Sequence, residues 1–439
     1  MPAPVWWAVA LVAAVHLLTT TGAWIITDQA EALFTARRLL SDGTLDLAPA
    51  SAPRVSALPW LRAEPGRALR TRLLPGTAVT LAPLLALDRA LGWEDPEQYG
   101  RLVHLHGHLF VLAGLALLGR AVWRRGRSAQ AAAAAVVLAG LSWPVWQVSK
   151  RGGSAPVLFF LAALFVSAGA AAAGRRRPPA ADLVRAAACA LLPWLNPAGS
   201  VISAVFAGAT WLEGFYARRL GSERGERPRV WPLAAGCAVG NATVIVLWNQ
   251  LYHGHAWLGG YGAAHLGHES WFGVAPLFTG FLARAWEFLR LGPWLVLPAL
   301  WFAWREGAPG RPHLILPVLL SAALFALFAT FYDPEPARRF SVLCPAWAVA
   351  LGWGWARTRW RYPWNLLALV GALVLGVSWF LREEGRYYAG PGGLFYPSVL
   401  WVKRAIDGAP LWQTALPVGA LLLLAAVAAD RVASTMRPS

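Results

Sequence analysis

Apolar residues fall along this chain in long runs separated by short polar or basic interruptions. The runs cover approximately 5–26, 102–122, 129–148, 155–173, 183–195, 198–213, 230–251, 287–304, 313–331, 341–356, 365–381 and 411–429. A helix needs about 20 residues to cross a hydrocarbon layer of roughly 30 Å. The pattern therefore predicts an all-α polytopic integral membrane protein of about a dozen transmembrane helices, a single domain over residues 1–439 with no linker inside it. The first run has no basic stretch ahead of it and is long for the apolar part of a signal peptide. Thr21-Gly22-Ala23, small enough for a cleavage site, is therefore read as the end of a retained first span.

One further segment, 73–91, is ambiguous, and the charges between the runs decide it. With a cytoplasmic N-terminus and 73–91 not crossing, Arg124-Arg125-Gly126-Arg127, Arg175-Arg176-Arg177, the basic stretches 218–229, 305–311 and 357–361 and the C-terminal tail all lie inside. That is the distribution the positive-inside rule favours. If 73–91 crosses, every one of those clusters moves outside. Pro75, Gly76, Pro83, Asp88 and Arg89 also make a poor lipid-facing span. The reading is an outer-face juxtamembrane helix, with long outer loops at 27–101, 252–286, 332–340 and 382–410 and short basic inner loops.

Composition narrows the classes further. Hydrophobic residues make up 57% of the chain and charged residues 14%, and the net charge is +17. The arginines sit in short clusters between apolar runs rather than along one basic face, which points to membrane lipid headgroups and topology and away from nucleic acid. Cys189, Cys237 and Cys344 each lie inside an apolar run without metal or CxxC spacing and read as buried small hydrophobes. Tryptophans such as Trp6, Trp7, Trp143, Trp146, Trp353 and Trp360 gather near segment ends, where indoles anchor at the water interface.

Because the elaborate loops face one way, candidate chemistry is sought there. The first outer loop opens with Thr27-Asp28-Gln29-Ala30-Glu31, and Leu33, Ala36 and Leu40 then make an apolar stripe of helical spacing, so an interfacial helix starts at once. Two roles for Asp28 are open. With Glu31 three residues later it fits a capping box; a carboxylate at the mouth of the bundle is also the group that takes a proton from an acceptor hydroxyl. Arg62, Arg67, Arg70 and Arg72 follow, with Glu64 among them as a candidate substrate contact. Arg338-Arg339 stands in an outer loop at the edge of a span, against the positive-inside bias, and guanidinium forks match phosphate oxygens. Asn249, His253, Tyr261, His265, His268 and Glu269 populate the loop after the seventh run; the histidine spacings fit no closed zinc pattern. His104, His106 and His108 alternate, which on a helix spreads them around the axis.

Several of these stretches resemble one family, the GT-C fold membrane glycosyltransferases, and within it the bacterial relatives of protein O-mannosyltransferases and of aminoarabinose transferase. The opening of that family, an aspartate just past the first span followed by an interfacial helix and a Gly-plus-hydrophobic turn, is similar to Asp28 through Gly43-Thr44-Leu45. Its juxtamembrane element resembles Arg72-Leu73-Leu74-Pro75-Gly76 to Pro83, its Asn and Gly-Tyr loop resembles Trp248-Asn249, His253-Gly254 and Gly260-Tyr261, and its Arg-Tyr with a downstream proline resembles Arg339-Phe340 with Pro345. Two departures stand out. His253 replaces an aromatic residue, and the short second outer loop Ser149-Lys150-Arg151-Gly152-Gly153-Ser154 lacks the second acid the family often carries.

The resemblance implies a mannosyltransferase-like, inverting enzyme of the cell (inner) membrane. It would move a sugar from a polyprenyl-phosphate carrier to a glycan, lipid or protein acceptor on the outer face. Asp28 would be the general base, Arg338, Arg339 and Arg72 would hold the leaving phosphate, and Glu31, Glu64, Asn249, His253, Tyr261, His265 and His268 would be substrate-loop residues. Segments 73–91 and 272–290 would line the groove for the isoprenoid tail. Neither metal nor cofactor is expected. The rival classes are a transporter or lipid flippase, which calls for charged residues and repeats within the spans, and a non-catalytic scaffold of cell-envelope assembly. The spans read as nearly charge-free.

Overall fold

The computed structural model describes residues 1–18, 27–47, 69–70, 74–93, 102–150, 152–172, 179–219, 230–253, 274–306, 312–329 and 336–357. The runs 365–381 and 411–429 and the loop 382–410 lie outside the described residues. What is described is almost wholly helical. Helix α1 spans Ala3–Leu18, α2 Thr27–Asp42 and α3 Pro75–Ala90, with a two-residue antiparallel ladder, β1 Asp46–Leu47 on β2 Leu69–Arg70, between the last two. A 3-10 turn, Leu102–Leu105, leads into α4 His106–Gly126; α5 Ala129–Gly140, α6 Trp143–Ser149, α7 Ser154–Ala172, α8 Pro179–Leu195 and α9 Ala198–Arg219 follow. Helix α10, Val230–Thr243, continues as a π-helix, Val244–His253. Then come α11 Val274–Leu291, α12 Pro293–Glu306, α13 Pro312–Phe328, the short α14 Pro336–Phe340, a 3-10 turn Ser341–Leu343, and α15 Cys344–Arg357.

Among the described residues, Leu102–Gly126, Ala198–Tyr216 and Val230–Gln250 are long and apolar enough to cross a membrane. The pair α5 and α6, bent by 69°, makes a fourth if it is one broken span, and Ala3–Leu17, Ser154–Ala170, Leu295–Trp304 and Pro312–Phe328 are shorter apolar helices. The bend has a local cause. Ser142 turns its hydroxyl back onto Ala139 O at 2.6 Å, and Pro144, which has no N–H to give, opens α6 in a new direction.

Small residues set the packing. Ala131, Ala132, Ala135 and Ala139 of α5 are buried, and where lipid is as apolar as the core, such close backbone approach supplies dispersion contacts that the hydrophobic effect does not.

Contacts sort the helix termini into two ends. At one end, Arg125 donates to His313 Nδ1 at 3.3 Å and the His313 ring centre lies 3.9 Å from that of Trp353, joining the last turn of α4, the start of α13 and the close of α15. At the other, His16 in the last turn of α1 bonds Gly140 O at 2.8 Å, with His108 at the start of α4 and Trp146 of α6 beside its ring. Cys344, which opens α15, meets Ser142 there at 3.7 Å.

Helix α3 lies across this second end. Gly76 abuts Trp194 at the close of α8, Thr80 bonds His106 at 3.1 Å, and the buried Asp88 accepts from Leu102 N and Val103 N at 2.9 to 3.1 Å. From Gly76 to Asp88, α3 thus touches only one end of the bundle, where a crossing helix would pass from end to end. The Leu33, Ala36 and Leu40 stripe of α2 packs on Ala78, Leu81 and Leu85 of α3, so the two form a juxtamembrane pair.

Two expectations need correction. The spans are not nearly charge-free: Arg185 is buried between α7, α8 and α9, bonded to Thr210 and lying over the Phe165 ring at 4.3 Å, with Glu213 in electrostatic reach of Arg185 and Arg125. A stacked aromatic face and a hydroxyl let a guanidinium remain buried there. Next, the loop 252–286 is not loop throughout, because 274–291 is one continuous helix. The break comes at Gly292-Pro293, which the reading of a span over 287–304 crosses. Helix α2 is described from Thr27 onward, so Asp28 stands at its start, where the capping and catalytic roles both remain open.

Candidate active site

Among the described residues, the start of α2, the Arg338-Arg339 pair and the segment carrying Asn249 lie toward the end of the bundle closed by α2 and α3. Asp28 is the second residue of α2. One turn on, Glu31 is fully buried, and Thr35 donates to Glu31 O at 2.8 Å. Burial of Ala32, Leu33 and Ala36 against α3 fixes the rotation of α2. A carboxylate in a first helical turn also faces the positive end of the helix dipole.

Arg338 and Arg339 are held by their neighbour. Phe340 is fully buried, with the rings of Phe288 and Phe325 at 5.5 and 5.7 Å, and this clamp anchors α14 against α6 and α11. Ser341 donates to Arg338 O at 2.8 Å, while the Arg339 guanidinium lies 4.6 Å from the centre of the Phe328 ring. A half-buried guanidinium seated on an aromatic face keeps its charge with little loss of rotamer freedom on binding an anion.

The π-helix supplies the third wall. Its Trp248 is buried with Val244 against Leu74, with Leu45 and Trp194 alongside, so the segment carrying Asn249 and ending at His253 meets the start of α3 two residues after Arg72. Asn249 is half-buried. Arg62, Glu64, Arg72, Tyr261, His265 and His268 lie outside the described residues, as do the side chains of Asp28, Arg70 and His253.

Sequence reasoning missed a fourth component. Trp143, Gln147 and Lys150 recur at helical spacing along α6 and share a face. Lys150 Nζ lies 5.8 and 5.6 Å from the ring centres of Trp143 and Trp146. Gln147 is buried, with no partner for Oε1 among the described residues. The signal was present in the spacing, but it falls inside an apolar run, and the bend that turns α6 across the bundle end does not show in composition. His104, His106 and His108 do spread around their helix: His106 turns to α3 and His108 towards His16. Among the described residues, no group of three His, Cys, Asp or Glu side chains stands close enough to hold a metal ion. The site thus combines a carboxylate-bearing helix start, an arginine pair on an aromatic support and a lysine above two indoles. Fixed cations on aromatic supports suit an anionic ligand at this end of the bundle.

No protein-family model matches the chain, and no curated protein matches it. Solved structures do. ArnT from Cupriavidus metallidurans aligns at 17% identity over 98% of this chain, in the apo state with 76% of that chain and a TM-score of 0.52, and bound to undecaprenyl phosphate with 77% and a TM-score of 0.57. The arabinosyltransferase EmbB from Mycobacterium smegmatis aligns at 14% identity and a TM-score of 0.50, over 97% of this chain and 41% of that one. At these identities the likeness is one of architecture, and it runs the length of the chain. The chain has the polytopic helical fold of the GT-C membrane glycosyltransferases.

Proposed function

We propose that the protein is an inverting glycosyltransferase that takes a sugar from a polyprenyl-phosphate carrier and moves it to an acceptor on the extracytoplasmic face of the cell membrane. In this reading Asp28 accepts the proton of the acceptor hydroxyl as its oxygen attacks the anomeric carbon. The bond from that carbon to the phosphate oxygen breaks on the opposite side, and the departing phosphate takes its charge to Arg339, Arg338 and Arg72. Segment 73–91 and helix α11 flank the isoprenoid tail. A mannosyl-type sugar is the finer form of the proposal. The observation that carries it is the fold shared along the chain with ArnT, a protein solved with undecaprenyl phosphate, together with an arginine pair clamped by Phe340 at the end that α2 closes.

The transporter reading draws on one buried span cation, Arg185. That guanidinium is tied to Thr210 and Phe165 at the opposite end of the bundle from the site, so it reads as an internal strut.

The test is binding of undecaprenyl phosphate to the purified protein. Arg339→Ala is expected to weaken it about tenfold or more, since a lost charge-assisted phosphate contact is worth roughly 1.5–3 kcal/mol. Arg339→Lys restores it only in part. Equal affinity in all three proteins removes Arg339 from the donor site.

A further inference from the structure

The crossing of α8 and α10 brings two cysteines together. Gly236 and Gly240, one turn apart on α10, sit so near the carbonyl oxygens of Ala186 and Ala190 that a Cβ at either glycine would collide with them. Both contacts advance in the same chain direction, so the helices run parallel here, and the stretch between the contacts holds Cys237 on one helix and Cys189 on the other. Cys237 donates to Ser203 O of α9 at 3.1 Å and Cys189 reaches the same oxygen at 4.0 Å, so both thiols converge on one carbonyl. A disulfide needs Cα atoms roughly 4.4–6.8 Å apart. A glycine-mediated crossing brings backbones close enough to allow that spacing, whereas helices packed at the ordinary axial distance of about 8–10 Å seldom do.

We propose that Cys189 and Cys237 form an oxidation site, a reversible disulfide that ties α8 to α10, with lipid hydroperoxides as the class of oxidant. Cys189 is fully buried, but Cys237 is half-buried beside the exposed Val239, so the first step belongs to Cys237. Its sulfur attacks the terminal hydroperoxide oxygen and the O–O bond breaks. The thiol proton goes to the departing alkoxide, leaving a sulfenic acid and an alcohol. The Cys189 sulfur then attacks the sulfenic sulfur, and the hydroxyl leaves with the Cys189 proton as water. Two thiols lose two electrons and the hydroperoxide gains them. The pair joins the two helices whose ends, Trp194 and the π-helix Trp248, seat the start of α3.

The full chain, reconstituted in lipid nanodiscs, is treated with cumene hydroperoxide, then denatured in the presence of N-ethylmaleimide so that every remaining thiol is blocked, and mapped by mass spectrometry. The expected product is a peptide pair joined through Cys189 and Cys237, lighter by two hydrogen atoms and released by dithiothreitol, while Cys344, at Ser142 and remote from the pair, is alkylated. Cys189→Ala is expected to leave Cys237 oxidised to sulfinic acid without a crosslink. Sulfenic or sulfinic acid at Cys237 of the unaltered protein with Cys189 still alkylated overturns the proposal, and so does full alkylation of both. Neither depends on the variant folding or on donor binding.

Discussion

At the scale of single residues, the two open roles of Asp28 diverge measurably. Asp28 stands in the first turn of α2, where its charge gains about 0.3–1 kcal/mol from the helix dipole. Asp28→Asn gives up that much and no more, so the protein is expected to insert and fold with a nearly unchanged melting temperature. An amide cannot accept the proton, however, and loss of a general base costs about 10²–10⁴ in rate. Transfer by Asp28→Asn is expected to fall at least about a hundredfold, while Asp28→Glu, with its carboxylate displaced, keeps part of it. Glu31→Gln leaves the acceptor untouched and its effect on rate is expected to be small, a comparison made in one turnover assay. Asp28 and the Arg338-Arg339 pair were legible because each breaks a local rule, a carboxylate at a span's edge and cations against the positive-inside bias. Lys150 and Gln147 break none that one sequence displays. Only the folded α6 shows the lysine above two indoles and the buried amide.

At the scale of elements, α3 tests how the bundle end is built. Asp88 is buried and takes the backbone N–H groups of Leu102 and Val103, unpaired donors at the start of the turn that leads into α4. Asp88→Ala leaves both donors buried and is expected to lower stability by about 1–3 kcal/mol, read as an earlier thermal unfolding transition in detergent; Asp88→Asn, which keeps an acceptor oxygen, recovers part of the loss. Gly76→Ala places a Cβ 2.7 Å from Trp194 O, a backbone atom that cannot swing aside. It is expected to lift α3 from α8 and weaken undecaprenyl phosphate binding without emptying the membrane of protein. The α2 and α3 pair was legible from the Leu33, Ala36 and Leu40 stripe and from the prolines and charges of 73–91. Helix α11 was hidden, because a half-exposed helix ending at Gly292-Pro293 shows neither a full apolar run nor a clean polar face. The burial of Arg185 was hidden too, since its partners Phe165 and Thr210 lie on other helices.

At the scale of the whole molecule, the proposed reaction requires one topology. With native cysteines replaced, single cysteines at Gly43 and Gly92 are expected to react with an impermeant thiol reagent in intact cells, and those at Gly126 and Gly221 to stay unlabelled. Reaction of only one of Gly43 and Gly92 means that 73–91 crosses and that the site faces the wrong way. The reaction itself is read most directly from lipid-linked sugars and surface glycans, measured by mass spectrometry in cells with and without the protein. Its loss is predicted to make one polyprenyl-phosphate sugar accumulate while an envelope glycan loses the same sugar, a change reversed by the unaltered chain and not by Asp28→Asn. An unchanged pool of lipid-linked sugars with unchanged glycans, or full reversal by Asp28→Asn, would contradict it.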